Sequence, residues 1–163
     1  MPKNFKPEMG SGDLGFTDLF GGKRVPKTHC RIKLNALLDD LGALLGLLKT
    51  WTVDAGAKKE ISAAQAGLIG ASAIIAGARS DLKAETAALE KLIARRAAGI
   101  KPQKKFVLPG ANEAEALAHL ARTRARLCEL LSWEIKAKAP AVYLNRLSDY
   151  LFLVAVKSSR GSR

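Results

Sequence analysis

The sequence is poor in cysteine, in aromatic residues and in long apolar runs. Its two cysteines, Cys30 and Cys128, do not have the spacing of a metal site, and we expect a reduced, cytoplasmic protein. Aromatic residues make up only 6% of the chain, which argues against a surface that stacks single-stranded bases. No apolar stretch is long enough to span a bilayer, and the first ten residues lack the apolar centre of a signal peptide. We therefore expect no contact with a membrane.

The sequence also lacks the residue combinations used in nucleophilic catalysis. It offers neither a Ser-His-Asp nor a Cys-His constellation. Its glycine-rich stretch does not end in the Gly-Lys-Ser/Thr of a Walker loop. No segment alternates with the period of a strand, so the chain is predicted to be all-α.

Positive charge is the clearest feature that is present. Lysine and arginine number 27 against 15 acidic residues, and the formal net charge is +12. Partners are therefore expected to be anionic: nucleotide phosphates, nucleic acid or an acidic surface. The basic residues are dispersed rather than gathered into a tail, and nucleic acid is the least favoured of the three.

Apolar residues recur at the helical period along most of the chain. They predict an up-down bundle of at least four long helices. We divide the chain into a mobile Gly/Lys-rich nucleotide-binding segment (1–30), a helical bundle domain (31–157) and a disordered tail (158–163). Helices are predicted over residues 31–50, 58–78, 80–98, 112–133 and 141–156, the third of them capped by Ser80.

The helix at 112–133 carries a row of charged residues. Arg122, Arg126 and Glu129 follow one another at i, i+4 and i+7 and therefore share one face. Two guanidiniums beside a carboxylate would suit a polyanion, because the carboxylate can hold one arginine in place. A solvated charged face is the commoner explanation of this spacing.

The opposite face of this helix is predicted to be buried. Arg124 interrupts it, and either pairs with an acid of another helix or extends its charge to the edge of the apolar stripe. The predicted apolar residues are Leu117, Leu120, Ala121, Leu127, Cys128 and Leu131.

Three polar residues, Asn145, Arg146 and Asp149, lie off the apolar stripe of the last helix. A surface trio with an Arg–Asp pair explains them most simply. The alternative is that the Asn145 amide faces a ligand together with Arg126.

The N-terminal segment combines glycines, hydroxyls and lysines from Ser11 to Lys27. Glycine lets backbone N–H groups approach a phosphate closely, and lysine supplies positive charge. A flexible tail would have the same composition.

Several motifs occur together in one order. They are Ser11-Gly-Asp-x-Gly-x-Thr17, Asp39-Asp-Leu, Phe106-Val-Leu-Pro-Gly110, Arg122-Thr-x-Ala-Arg126-x-x-Glu129 and Tyr143-Leu-Asn-Arg-Leu-Ser-Asp. This order resembles that of the PduO-type ATP:cob(I)alamin adenosyltransferases, and the resemblance extends from Gly10 to Val156.

The resemblance implies a five-helix subunit, an up-down four-helix bundle of ferritin-like style with one additional helix, assembled as a homotrimer. It implies that the 5′-deoxyadenosyl group of ATP, bound with Mg²⁺, is transferred to the cobalt of cobalamin in its cob(I)alamin form. The active sites would lie between subunits, and a flavin-type reductase would supply the reduced corrinoid. The ligands of the magnesium ion are not specified by the resemblance.

The resemblance also implies roles for individual residues. Arg126, Glu129 and Asn145 match residues of the ATP site. Asp39 and Arg122 match a catalytically important pair that bridges two subunits beside that site. The residues that match the loop around the triphosphate are Ser11, Gly12, Asp13, Gly15, Thr17 and Lys27.

Phe106 matches the aromatic residue that displaces the lower ligand of cobalt in this family. The sequence departs from the family pattern at Leu127 and Leu130, where arginines are usual. These departures put the subunit contacts and the catalytic efficiency in question. Two alternatives therefore stay open: a non-catalytic homologue that binds nucleotide or corrinoid, and a basic helical module that binds nucleic acid.

Overall fold

Five helices account for most of the chain. The computed structural model describes residues 9–100 and 108–159. Within these residues the helices are α1 (Cys30–Trp51), α2 (Ala55–Ala76), α3 (Lys83–Ala97), α4 (Glu113–Glu134) and α5 (Lys138–Ser158). The predicted all-α architecture with five helices is confirmed. In the part of the chain described, no helix is long and apolar enough to cross a membrane.

A small hairpin precedes the helices. Its strands, β1 (Phe16–Asp18) and β2 (Arg24–Pro26), pair in antiparallel register with Thr17 opposite Val25. The sequence did not indicate them, because three residues are too few to show strand alternation. The backbone N–H of Phe20 donates to the carbonyl oxygen of Ala76 at 3.0 Å, so the hairpin is attached to the end of α2.

The connections from α1 to α2, from α2 to α3 and from α4 to α5 are short, which favours an antiparallel arrangement of the helices they join. Helix α1 packs between α2 and α4, and α5 packs against α4 and α3. A leucine stripe on α1 forms the centre of the core, since leucines three and four residues apart share one helix face. Its fully buried members are Leu34, Leu38, Leu41, Leu45 and Leu48.

The inward face of α4 differs from the prediction. Leu120 and Leu127 are 47% and 43% exposed, so their assignment to the buried face was wrong. Small residues take that face instead, and they allow α5 to lie close against α4. The buried small residues of α4 are Ala118, Ala121, Ala125, Cys128 and Ser132.

Three helix starts also differ from the prediction. Helix α2 begins at Ala55, three residues earlier than predicted. Helix α3 begins at Lys83, where the Asp81 carboxylate accepts a hydrogen bond from the backbone N–H of Lys83 at 3.2 Å; Ser80 does not cap it. Helix α5 begins at Lys138, three residues earlier than predicted. Pro140 lies within its first turn, where a missing N–H leaves no intrahelical hydrogen bond unmade.

Helix α2 meets α5 through a glycine. A Cβ atom placed on Gly67 would lie 2.2 Å from the hydroxyl oxygen of Tyr143. The Tyr143 hydroxyl donates to the carbonyl oxygen of Ala64 at 2.9 Å, in the buried core. Glycine at position 67 therefore makes room for the ring, and the hydroxyl finds its partner one turn away.

We expect Gly67→Ala to lower the free energy of unfolding by about 1–3 kcal/mol, because the added methyl group must displace the Tyr143 ring. Gly46→Ala is the matched control, since its Cβ would meet only the flexible amide of Gln65 at 3.4 Å. The control should be neutral or stabilising by up to about 1 kcal/mol. Urea denaturation checks both variants. Equal stabilisation by the two alanines would contradict the close contact at position 67.

Candidate active site

A charged cluster joins the middle of α4 to α5. The guanidinium of Arg126 forms an ion pair with the carboxylate of Glu129, one turn further along α4. The Asn145 amide nitrogen, on α5, donates to the other oxygen of the same carboxylate at 3.2 Å. The Glu129 side chain is only 8% exposed, whereas that of Arg126 is 44% exposed. The buried carboxylate thus holds the arginine at the surface, in contact with solvent.

The neighbour of Asn145 orients its amide. Arg146 donates from its Nη1 to the Asn145 side-chain oxygen at 2.6 Å, and its Nε donates to Glu90 of α3 at 3.0 Å. The Arg146–Asp149 contact of 3.9 Å is long. The Asn145 amide therefore bridges Arg146 and the Glu129–Arg126 pair, as a surface trio would. That the amide faces a ligand together with Arg126 stays a prediction.

Both arginines of the predicted row line one cavity. This cavity has a volume of about 370 Å³ and lies between α3, α4 and α5. Arg122 and Arg126 contribute its positive charge, Phe152 an aromatic wall, and Ser148 and Asp149 polar groups. The charged row therefore lines a concave, positively charged surface. It is not a convex helix face that is solvated along its whole length.

Arg122 also contacts His119 of α4, which in turn contacts Glu115. The Arg122 Nε donates to His119 Nδ1 at 3.3 Å, and His119 Nε2 lies 3.2 Å from an oxygen of Glu115. Asn112 caps the start of α4 by accepting from the backbone N–H of Glu115 at 2.9 Å. Burial lowers the pKa of His119, and the nearby Arg122 charge adds to this, although the Glu115 carboxylate acts in the opposite sense. From the sequence, Glu115 is predicted only as a capping-box carboxylate and His119 only as a border of the charged face; their i, i+4 spacing was the available signal of a contact.

Two acidic residues of α1 have different environments. Asp40 pairs with Arg124 of α4 at 2.8 Å, which selects the ion pair among the two interpretations of Arg124. Asp39 is exposed and forms no ion pair with the described residues. Its predicted partner, Arg122, contacts His119 in the same chain. The pair of Asp39 and Arg122 is therefore not formed within one chain.

The N-terminal residues form a compact turn around the hairpin. The Lys27 backbone N–H donates to the Gly15 carbonyl oxygen at 2.8 Å, and Arg24 donates to the Ser11 carbonyl oxygen at 3.0 Å. A Cβ atom on Gly12 would lie 2.7 Å from the ammonium nitrogen of Lys27, so the glycine allows this close approach. Asp13 is exposed beside them.

Thr17 lies within β1 in the same segment. A lysine ammonium thus lies against a glycine backbone, an arrangement that suits a phosphate.

The described residues do not test the predicted role of Phe106 or the expected magnesium ion. Phe106 lies outside the described residues. Among residues 9–100 and 108–159, no group of three or more His, Cys, Asp or Glu side chains could hold a metal ion.

Fold and site together define a helical-bundle protein with two arginines at one cavity and a glycine–lysine loop near its N-terminus. The family model for cobalamin adenosyltransferase matches residues 8–158. The chain therefore belongs to the cobalamin adenosyltransferase family, as the order of its motifs indicated.

Individual relatives agree with this assignment. The chain is 37% identical over 158 residues to the corrinoid adenosyltransferase PduO of Salmonella typhimurium, covering 89% of this chain and 47% of that protein. It is 35% identical over 159 residues to a corrinoid adenosyltransferase of Citrobacter freundii, covering 89% and 90%. The chain thus spans about half the length of the Salmonella relative.

The fold is also that of a solved member of the family. A variant of the PduO-type ATP:corrinoid adenosyltransferase from Lactobacillus reuteri, complexed with cobalamin and ATP, superposes with a TM-score of 0.85. The match covers 94% of this chain and 93% of that one at 23% sequence identity.

We expect Arg126→Ala to cost about 1–3 kcal/mol of stability, because it leaves the buried Glu129 carboxylate without its ionic partner. Adding Glu129→Gln should recover part of the loss, since a neutral amide needs no compensating charge and can still accept from Asn145. Urea denaturation of both variants measures the difference. A double variant less stable than Arg126→Ala would contradict the compensating role of the ion pair.

Proposed function

We propose that this chain is an ATP:corrinoid adenosyltransferase. It would transfer the 5′-deoxyadenosyl group of ATP to the cobalt of cob(I)alamin, with adenosylcobalamin and triphosphate as products. The observation that carries the proposal is the cavity shared by Arg122 and Arg126, beside the buried Glu129–Asn145 contact. Membership in the family and the names of the relatives support it.

The reaction needs little covalent chemistry from the protein. The electron pair of cobalt(I) attacks the 5′ carbon of ATP, a cobalt–carbon bond forms, and the carbon–oxygen bond breaks. The bonding electrons leave with the triphosphate, so no protein nucleophile or general base is required. The chain must instead orient ATP and neutralise the leaving polyanion, and an exposed guanidinium at a fixed position suits this task.

ATP would bring Mg²⁺ with it, coordinated in part by the triphosphate oxygens. The loop from Ser11 to Lys27 would order around the triphosphate and supply backbone N–H groups and charge. Phe106 would occupy the lower face of the corrinoid and keep axial ligands away from cobalt. A flavin-type reductase in the cytoplasm would supply the cobalt(I) state.

We further propose a homotrimer with active sites between subunits. The N-terminal hairpin is attached to α2, whereas Arg126 faces the cavity between α3, α4 and α5. Asp39 is exposed, and exposed apolar side chains such as Leu120 and Leu127 cover the adjoining surface of α4. A second copy could cover this surface and bring its hairpin to the arginines.

A non-catalytic homologue is the second candidate. The observation that favours it is the exposure of Leu127 and Leu130, where the family pattern has arginines. Two positive charges are thereby missing from the outer surface of α4. Formation of adenosylcobalamin from cob(I)alamin and Mg-ATP, followed by absorbance, separates the two candidates: an enzyme accumulates product, and a binding protein does not.

We expect Arg126→Ala to lower kcat/KM for ATP by an amount equivalent to about 2–4 kcal/mol, because one charge-assisted contact to the leaving triphosphate is lost. Lys91→Ala, an exposed substitution on α3, is the control for a general loss of charge and should keep parental kinetics. Both variants are assayed without urea, at a temperature at which they are folded. Parental kcat and KM in Arg126→Ala would refute the assigned role.

We expect two inactive variants to complement each other if the sites are shared. Lys27→Ala disables the phosphate loop, and Arg126→Ala disables the cavity. Random co-assembly in a cyclic trimer should restore about a quarter of all sites, since an active site needs an intact loop from one subunit and an intact cavity from the next. In a mixed trimer, about one site in three should then be active. Light scattering establishes the trimer, and co-expression with two affinity tags isolates the mixed form. Mixed trimers without recovered activity would place both halves of the site in one subunit.

A further inference from the structure

A chain of polar contacts runs behind the cavity, from Arg122 to the turn before α4. Arg122 Nε donates to His119 Nδ1 at 3.3 Å. His119 Nε2 lies 3.2 Å from Oε1 of Glu115. The other Glu115 oxygen accepts from the backbone N–H groups of Gly110 at 2.7 Å and Ala111 at 3.1 Å. His119 and Glu115 are only 5% and 1% exposed, so water does not compete for these contacts.

The donors and acceptors of this chain determine which ring nitrogen carries the proton. A guanidinium can only donate, so His119 Nδ1 must present its lone pair to Arg122. The proton of a neutral ring then resides on Nε2, which lies 3.2 Å from Oε1 of Glu115. Glu115 Oε1 is buried and has no hydrogen-bond partner among the residues described, and the ring N–H is the donor within reach.

The neutral form of the ring is favoured by its surroundings. Burial lowers the pKa of His119, and this outweighs the opposing effect of the Glu115 carboxylate. A second proton on the ring would sit on Nδ1 and face the Arg122 N–H. The contact to Arg122 therefore exists only while the ring is neutral.

His119 touches the cavity wall at two points. One is Arg122, which lines the cavity. The other is Phe152, whose ring meets the imidazole edge-on, with 6.4 Å between the centroids and 67° between the planes. The contact to Nδ1 uses only Nε of Arg122. Among residues 9–100 and 108–159, neither terminal nitrogen of the guanidinium has a hydrogen bond or ion pair, so both are available for an anion. A histidine that merely filled the core would not need to accept from a cavity arginine.

We propose that His119 is a positioning residue, whose Nε2–H tautomer holds the Arg122 guanidinium at the cavity wall and is itself fixed by Glu115. This inference rests on the proposed function only for its kinetic consequence. The tautomer and the contact to Arg122 are properties of the folded chain without substrate.

The first test reads the tautomer directly. The chain contains two histidines, so long-range ¹H–¹⁵N spectra of the imidazoles give two patterns, and the pattern lost in His119→Asn belongs to His119. We expect the Nε2–H pattern, together with an Arg122 Nε–H resonance protected from exchange with water. The protection should persist in His119→Asn, whose side-chain oxygen can replace Nδ1, and disappear in His119→Leu. An Nδ1–H pattern would overturn the proposal.

The second test measures whether His119 acts through Arg122. We expect His119→Leu, and His119→Gln with its amide near the Nε2 position, to lower kcat/KM for ATP about tenfold. His119→Asn should stay within about threefold of the parent. In an Arg122→Ala background, His119→Leu should cause no further loss, because the group that it positions is already absent. Additive losses, or an asparagine variant as impaired as the leucine variant at equal thermal stability, would overturn the proposal.

The two tests distinguish this inference from the proposed function. If the parent chain forms no adenosylcobalamin, the proposed function fails, and the spectra still decide whether His119 holds Arg122. If the parent is active and the losses caused by His119→Leu and Arg122→Ala are additive, the function stands and the positioning role is wrong.

Discussion

The close approach of α4 and α5 is the constraint on which the site depends. It requires small side chains along the inner face of α4, such as Ala121 and Ala125, because larger ones would hold the helices apart. The same approach brings Asn145 within reach of Glu129 and places the row of arginines at the rim of the shared cavity. It also leaves leucines of α4 on the outside, and that apolar outer face is available for contact with other copies of the chain.

Two buried carboxylates organise a chain that is otherwise strongly basic. Glu129 anchors Arg126, and Glu115 anchors the turn before α4 together with the ring of His119. A buried carboxylate is tolerated only where donors compensate it. Arg126 and Asn145 compensate Glu129, and the backbone N–H groups of Gly110 and Ala111 compensate Glu115. Each thereby limits the movement of one arginine side chain, directly or through the imidazole. The positive charge is thus held in place before a ligand arrives, and less conformational entropy is lost on binding.

Much of this architecture could be predicted from the sequence, because apolar periodicity and capping residues act locally. The leucine stripe of α1 and the cap at Asn112 are of this kind. The inner face of α4 could not be predicted in this way, because its small residues give a weak apolar signal, whereas the more apolar Leu127 lies on the opposite side of the helix. The partner of Arg124 also required the packed structure, since Asp40 is distant in sequence. The row of Arg122, Arg126 and Glu129 was visible from spacing, but its concavity depends on Phe152 of another helix.

The fit of Tyr143 against Gly67 has a consequence for how this sequence can vary. Alanine at position 67 becomes acceptable only after the ring at 143 has been replaced by a smaller group. That order passes through a chain that keeps an open space beside a glycine and leaves the Ala64 carbonyl oxygen without its side-chain donor. The reverse order passes through a chain in which the alanine methyl group collides with the Tyr143 ring. The two positions are therefore epistatic, and the order of substitution decides whether an intermediate sequence folds. Libraries that randomise one of them alone would recover mainly the parental residue.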